Sequence, residues 1–175
     1  MQQNEIAPRL NRRLYCTSDS TMLEAPTVLI RRVAEGWDIL EPESDRPLGI
    51  ARPRKALSTW VMGWFQRPAV DVFEAEEEPL VFTLRRPWGF SPKWEICDAD
   101  GNRVALVKRG QIYDAFGRPW ATMESRNDEI NFRAGQRQFA QARRTANGLH
   151  MSFAPDLQNH PLTKMSLLGA ILAMG

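Results

Sequence analysis

One stretch near the C-terminus constrains this chain more than any other feature. Leu162 to Met174 reads as a helix, and Pro161 suits its first turn, where a missing N–H goes unused. The polar residues Thr163, Lys164 and Ser166 fall in the first turns. From Leu167 the sequence runs Leu-Leu-Gly-Ala-Ile-Leu-Ala-Met, apolar on every face. A helix with no polar face must be surrounded, by protein or by lipid. A bilayer span needs about 20 apolar residues, and this run is roughly half that, so burial in protein and no transmembrane span are expected. Leu167, Leu168, Ile171 and Leu172 are then the core of a plug, and Gly169 and Ala170 are small enough to let neighbouring strands come close.

The rest of the chain supplies those strands. Thr27–Val33 is β-branched and short; Gly36–Leu40 follows, then the polar turn Glu41 to Asp45, then Leu48–Ala51, a hairpin signature. Trp94–Arg103 leads into Val104–Val107, and Ile112–Arg118 leads into Trp120–Met123, repeating a strand, an acidic residue, a glycine turn, an arginine and a returning strand. Trp37–Ile50 is a looser third copy. Gly101 and Gly117 supply the positive φ that such turns need. Ile130–Phe132, Gln138–Ala142 and Leu149–Phe153 extend the meander, with Asn147-Gly148 the strongest hairpin signal. Thr59–Phe65 is apolar and aromatic, and periodicity does not decide between strand and helix. Glu74 to Glu78 reads as a solvated loop. Many short antiparallel strands and one all-apolar helix predict a mainly β (α+β) protein: a closed barrel filled by the helix. Residues 1–26 read as a flexible lead and 27–175 as the barrel domain.

Composition narrows the function. Lys and Arg number 23 against 21 Asp and Glu, too even for a global field that attracts nucleic acid, so an anionic partner must use a local patch. Cys16 and Cys97 fit no zinc or CxxC spacing and read as reduced thiols of a cytoplasmic protein. No targeting signal is visible in the first residues: Arg9, Arg12 and Arg13 precede no apolar stretch. His150 and His160 have no ligand-spaced companions. There is no Gly-rich phosphate loop, no G-x-S-x-G elbow and no catalytic order of Ser, His and Asp, so neither an enzyme nor a cofactor is expected.

The tail Phe153-Ala154-Pro155-Asp156-Leu157, then Lys164-Met165, then Leu168-Gly169-Ala170-Ile171-Leu172, resembles the C-terminal signature of the phospholipid scramblase family, which groups with the tubby-like and LURP-one-related domains. The turns at Trp94–Arg103 and Tyr113–Arg118 look like the same family's hairpins. The resemblance covers Val28 to Met174. It implies a closed barrel of about twelve antiparallel strands around a central hydrophobic C-terminal helix. Members also carry a proline-rich N-terminal region, a cysteine cluster for acylation and an acidic calcium segment. This chain shows neither of the first two, and its calcium segment offers only Asp156, Gln158 and Asn159. Asp156 and Asn159 are weak calcium candidates at best, since calcium takes six to eight oxygens, several from carboxylates.

Tubby-like domains resemble this one in fold, and they bind phosphoinositide headgroups on a basic patch. The resemblance therefore implies a non-catalytic domain that meets anionic phospholipid or a membrane surface. Arg31-Arg32, Arg85-Arg86, Lys108-Arg109 and Arg143-Arg144 are basic pairs, but adjacent residues of a strand face opposite sides. Arg52, Arg54 and Lys55 flank Pro53 and are expected on a loop, with Trp60 and Trp64 near in sequence; these five are the expected headgroup contacts. The expected location is cytoplasmic, peripheral to a membrane. The alternative is a protein-interaction barrel with no lipid ligand, and a third reading is an enzyme using a pocket at a barrel end.

Overall fold

The computed structural model describes residues 21–54, 68–74, 79–87 and 92–174. The strands among these residues are β1 (Thr27–Val33), β2 (Gly36–Leu40), β3 (Pro47–Pro53), β4 (Ala69–Phe73), β5 (Leu80–Arg85) and β6 (Lys93–Asp98). They continue as β7 (Arg103–Lys108), β8 (Gln111–Asp114), β9 (Pro119–Arg126), β10 (Glu129–Ala134), β11 (Arg137–Thr145) and β12 (Gly148–Phe153). Each pairs antiparallel with the next, and β12 pairs back onto β1 from Thr27↔Ser152 to Ile30↔Leu149, closing the barrel. A 3-10 turn, Pro155–Leu157, leads to the helix α1 (Pro161–Leu172).

Alternation sorts the side chains. Val28, Ile39, Ala51, Val72, Phe82, Leu84, Ile96, Ala105, Ile112, Phe132, Ala142 and Met151 face inward with no accessible surface. Helix α1 fills the space they enclose: every residue from Lys164 to Leu172 is buried. Nine successive residues span more than two turns, so no face of α1 reaches water, and the barrel-with-plug architecture expected from the apolar tail is the one observed. At Gly169 a Cβ would lie 2.6 Å from Cδ1 of Ile96, so the close approach of α1 to β6 depends on this glycine.

The plug runs from one barrel end to the other. Leu162, Thr163 and Ser166 adjoin the turns after β6 and β8, whereas Ile171, Leu172 and Met174 adjoin the β1, β2, β11 and β12 ends. The first is here termed the entry end and the second the exit end. In an antiparallel meander alternate turns share an end. The β1–β2, β3–β4, β5–β6, β7–β8, β9–β10 and β11–β12 connections therefore belong to the exit end, and the others to the entry end.

Three local features go beyond the sequence reading. The β11–β12 loop is Ala146-Asn147, between the paired Thr145 and Gly148; Gly148 opens the strand at φ 138°, where a Cβ would sit 2.5 Å from the Ile30 carbonyl oxygen. The packed chain begins before Thr27, since Met22 and Ala25 are buried. Lys164, one of the polar residues of the first helical turns, is 1% exposed: its Nζ donates to the carbonyls of Glu24 (3.2 Å) and Ala25 (2.9 Å) and lies 5.1 Å from the Phe153 ring centre. Burial lowers its pKa. The amine thus ties the segment before β1 to the plug. The stretches 59–65 and 75–78 lie outside the described residues.

Candidate functional site

The two barrel ends differ in whether their charges are matched within the protein. At the entry end the repeated turns are built by their own acids. Asp98 Oδ1 accepts from the Asn102 amide (2.7 Å), and Asp114 Oδ1 accepts from the amides of Phe116 and Arg118 (both 2.9 Å). Those amides, with the Arg118 guanidinium at 2.8 Å, hold the Asp114 carboxyl below its ordinary pKa. Gly101 and Gly117 close both turns at φ 84°. Arg103 donates to the Ala115 carbonyl through Nε (3.1 Å) and Nη2 (2.6 Å), locking one turn onto its copy. Arg46 pairs with Glu41 and Arg137 with Asp156. Every entry-end arginine named here therefore has an oxygen partner within the protein.

The exit end differs. Arg86, Lys93, Lys108, Arg109, Arg126 and Arg144 lie at its turns and strand ends, and among the described residues none of their side chains makes a hydrogen bond or ion pair. Among the described residues the acids at its turns and strand starts are Glu35, Asp128 and Glu129, with Glu129 4.0 Å from Arg143, and two residues into β6 Glu95 pairs with Arg85 at 3.0 Å. Lys93 and Lys108 stand directly opposite each other in the β6–β7 register, and like charges in that position are destabilising. Arg109 and Gly110 form the adjacent β7–β8 turn, both at positive φ (50° and 76°), and Arg109 is exposed there. Sequence reading named the Lys108-Arg109 pair but not Lys93 beside it; the hairpin register was needed to bring them together.

The expected headgroup residues fall as follows. Arg52 lies within β3 rather than on a loop, 3.4 Å from Asp38 Oδ1 on β2. Arg54 donates through Nε (2.9 Å) and Nη2 (2.6 Å) to the two carboxylate oxygens of Asp71, which also accepts from Thr83 Oγ1 at 2.9 Å. That bond raises the Arg54 pKa further. Both arginines are thus partnered on the barrel wall. Lys55, Trp60 and Trp64 lie outside the described residues, in the β3–β4 connection. Asp156 is engaged by Arg137, and Asn159 is exposed in the turn before α1. Among the described residues no group of three or more His, Cys, Asp or Glu is placed to hold a metal ion. Cys97 is buried beside Arg85, Glu95 and Arg103, and burial pushes its thiol pKa up, away from the reactive thiolate.

Hollows occur at both ends. The entry-end hollow, about 440 Å³, lies among Phe116, Trp120, Leu162 and the two Asp turns, and Phe116 and Leu162 are 82% and 57% exposed. The exit-end hollow, about 380 Å³, lies over the end of α1. No described helix is long and apolar enough to cross a membrane.

No family model and no curated protein matches the chain. Among solved structures, an X-ray structure of an Arabidopsis thaliana protein is similar with a TM-score of 0.59 at 15% identity, covering 85% of this chain and 91% of that one. At that identity the likeness speaks for the fold alone. The neighbour has a LURP-one-related, tubby-like fold, and the closed twelve-strand barrel plugged by a C-terminal helix fits it.

Proposed function

We propose that the protein is a non-catalytic, scramblase-like binding domain whose exit end meets anionic phospholipid headgroups at a membrane surface. The observation that carries this reading is the unmatched basic cluster at one barrel end, set against the internally matched charges of the other. Folding does not explain it, because Lys93 opposite Lys108 costs stability. An anionic surface would offset that cost, each Lys or Arg near such a surface contributing about 1 kcal/mol. Arg109 at the turn tip and Arg86 just after β5 add guanidinium groups at the same end, and a phosphate suits their planar fork. A location at the cytoplasmic face of a membrane accords with such a surface.

Co-sedimentation with phosphatidylserine–phosphatidylcholine vesicles tests it. Binding is expected to fall as salt rises and to be lost on pure phosphatidylcholine. Replacing Lys93 and Lys108 by Ala removes about 2 kcal/mol, roughly a 30-fold weakening, without lowering the melting temperature. Absence of binding at low salt overturns the reading. One observation favours a second reading, a protein-interaction module: the exposed Phe116 and Leu162 beside the entry-end hollow are apolar groups left in water.

A further inference from the structure

We infer that the exit-end hollow is a site for one amphiphile, with its apolar chain against the end of the plug and an anionic head at the rim. The inference rests on the lipid reading above for its ligand class, and adds a pocket that takes a single molecule out of the membrane or out of solution. Leu149, Ile171 and Leu172 line the hollow, which has a volume of about 380 Å³. That is within the range of small-molecule sites, which are commonly apolar with a few placed polar groups.

The charged groups here are two arginines, with Thr145 beside them in the lining. Arg32 on β1 and Arg144 on β11 belong to the two strands that flank β12, and both line the hollow above its apolar wall. Alternation explains this: Val28 and Ile30 precede Arg32 on the inward face of β1, and Ala140 and Ala142 precede Arg144 on that of β11. Each inward row ends in an arginine where the wall meets solvent. The Arg32 guanidinium lies 5.8 Å from the Trp37 ring centre, which presents a flat apolar surface beside the charge.

The direction of binding follows from the helix. α1 ends here, so its last carbonyls place partial negative charge at the bottom of the hollow. An anion is repelled from that depth and attracted to the rim, whereas a hydrocarbon chain is indifferent to the carbonyls and gains from Ile171 and Leu172. A monoacyl phosphate or lysophospholipid fits this polarity, and inorganic phosphate alone does not.

Isothermal titration with dodecyl phosphate below its micellar concentration tests the site. Saturable binding of one molecule per chain is expected, with a negative heat-capacity change. Inorganic phosphate should not bind, and dodecyl maltoside, chain without anion, should bind at least tenfold more weakly. Leu149→Trp, which fills the hollow, should abolish binding. Arg144→Glu, an exposed change that leaves the fold alone, should weaken it at least tenfold. Absence of saturable binding, or binding equal in wild type and Arg144→Glu, overturns the inference. The vesicle assay separates the two proposals: Leu149→Trp should still sediment with anionic vesicles, and the Lys93→Ala, Lys108→Ala double variant should still bind dodecyl phosphate.

Discussion

Gly169→Ala puts the plugged barrel to a quantitative test. On an exposed helix the change would stabilise by about 1 kcal/mol, through helix propensity and a less flexible unfolded chain. Here the added Cβ would lie 2.6 Å from Cδ1 and 2.8 Å from Cγ1 of Ile96, far inside the 3.5–4.0 Å optimum for carbon contacts. Ile96 has no accessible surface, so its side chain has little room to turn away. Overpacking of this kind costs about 1–3 kcal/mol. The net is a loss of about 1 kcal/mol, or roughly 2–4 °C in melting temperature for a chain of this size. Ile96→Val removes Cδ1 and by itself should cost about 0.5–1.5 kcal/mol. In the double variant the 2.6 Å contact is gone and the remaining 2.8 Å contact to Cγ1 can relax into the space Cδ1 leaves, so the two losses should not fully add. A favourable coupling of about 1 kcal/mol is expected. Urea unfolding followed by tryptophan fluorescence, with an unchanged m-value, measures all four corners of the cycle. If Gly169→Ala stabilises by the full propensity difference, or if the cycle is additive, the close approach of α1 to β6 is refuted.

Leu168 has no accessible surface, so Leu168→Asp should cost several kcal/mol and abolish cooperative melting in circular dichroism; a normal melt would place the plug elsewhere. Lys164 has a pKa lowered from 10.5, so between that lowered value and 10.5 the unfolded chain binds more protons than the folded one, and stability should rise with pH across this window. Lys164→Met should lack the rise, and parallel urea midpoints for the two proteins from about pH 7 to pH 11 would contradict the buried amine. Asp114, with its pKa lowered from 3.8, contributes stability that is present above that value and lost as pH falls through the lowered one. Asp114→Ala should therefore lower the melting temperature at neutral pH, and the difference should vanish in strong acid; a constant difference at all pH values would assign the loss to packing.

Much of the architecture could be read from local pattern. The run Leu167–Met174 has one physical solution once it is too short for a bilayer, and the Asp-x-x-Gly turns at Asp98 and Asp114, each followed by an arginine, carry the turn chemistry in their own residues. What depended on distant partners could not be read. Arg52 and Arg54 look like free loop cations in sequence, yet Asp38 and Asp71 sit opposite them only after β2, β3 and β4 have paired. Lys164 is legible only as a polar residue of the first helical turns until the carbonyls of Glu24 and Ala25 arrive from the other end of the chain. The basic exit end was half legible, because a meander sends alternate turns to one end. It also required the observation that six of its cations meet no carboxylate among the described residues.

The order of the strands has a consequence for how this protein is made. Eleven of the twelve pairings join consecutive strands and can form as local hairpins within microseconds. The exception is the seam between β1 and β12, where Thr27 meets Ser152 after more than a hundred intervening residues. Loop closure of that length is slow, and the helix that must end up inside follows the seam in the chain. A wall zipped shut too early would leave its filling outside, with two rows of strand edge lost to it. Acquisition of the plug must therefore precede or accompany the final zippering, and an open, curved sheet with a sticky lining is the species most exposed to aggregation on the way.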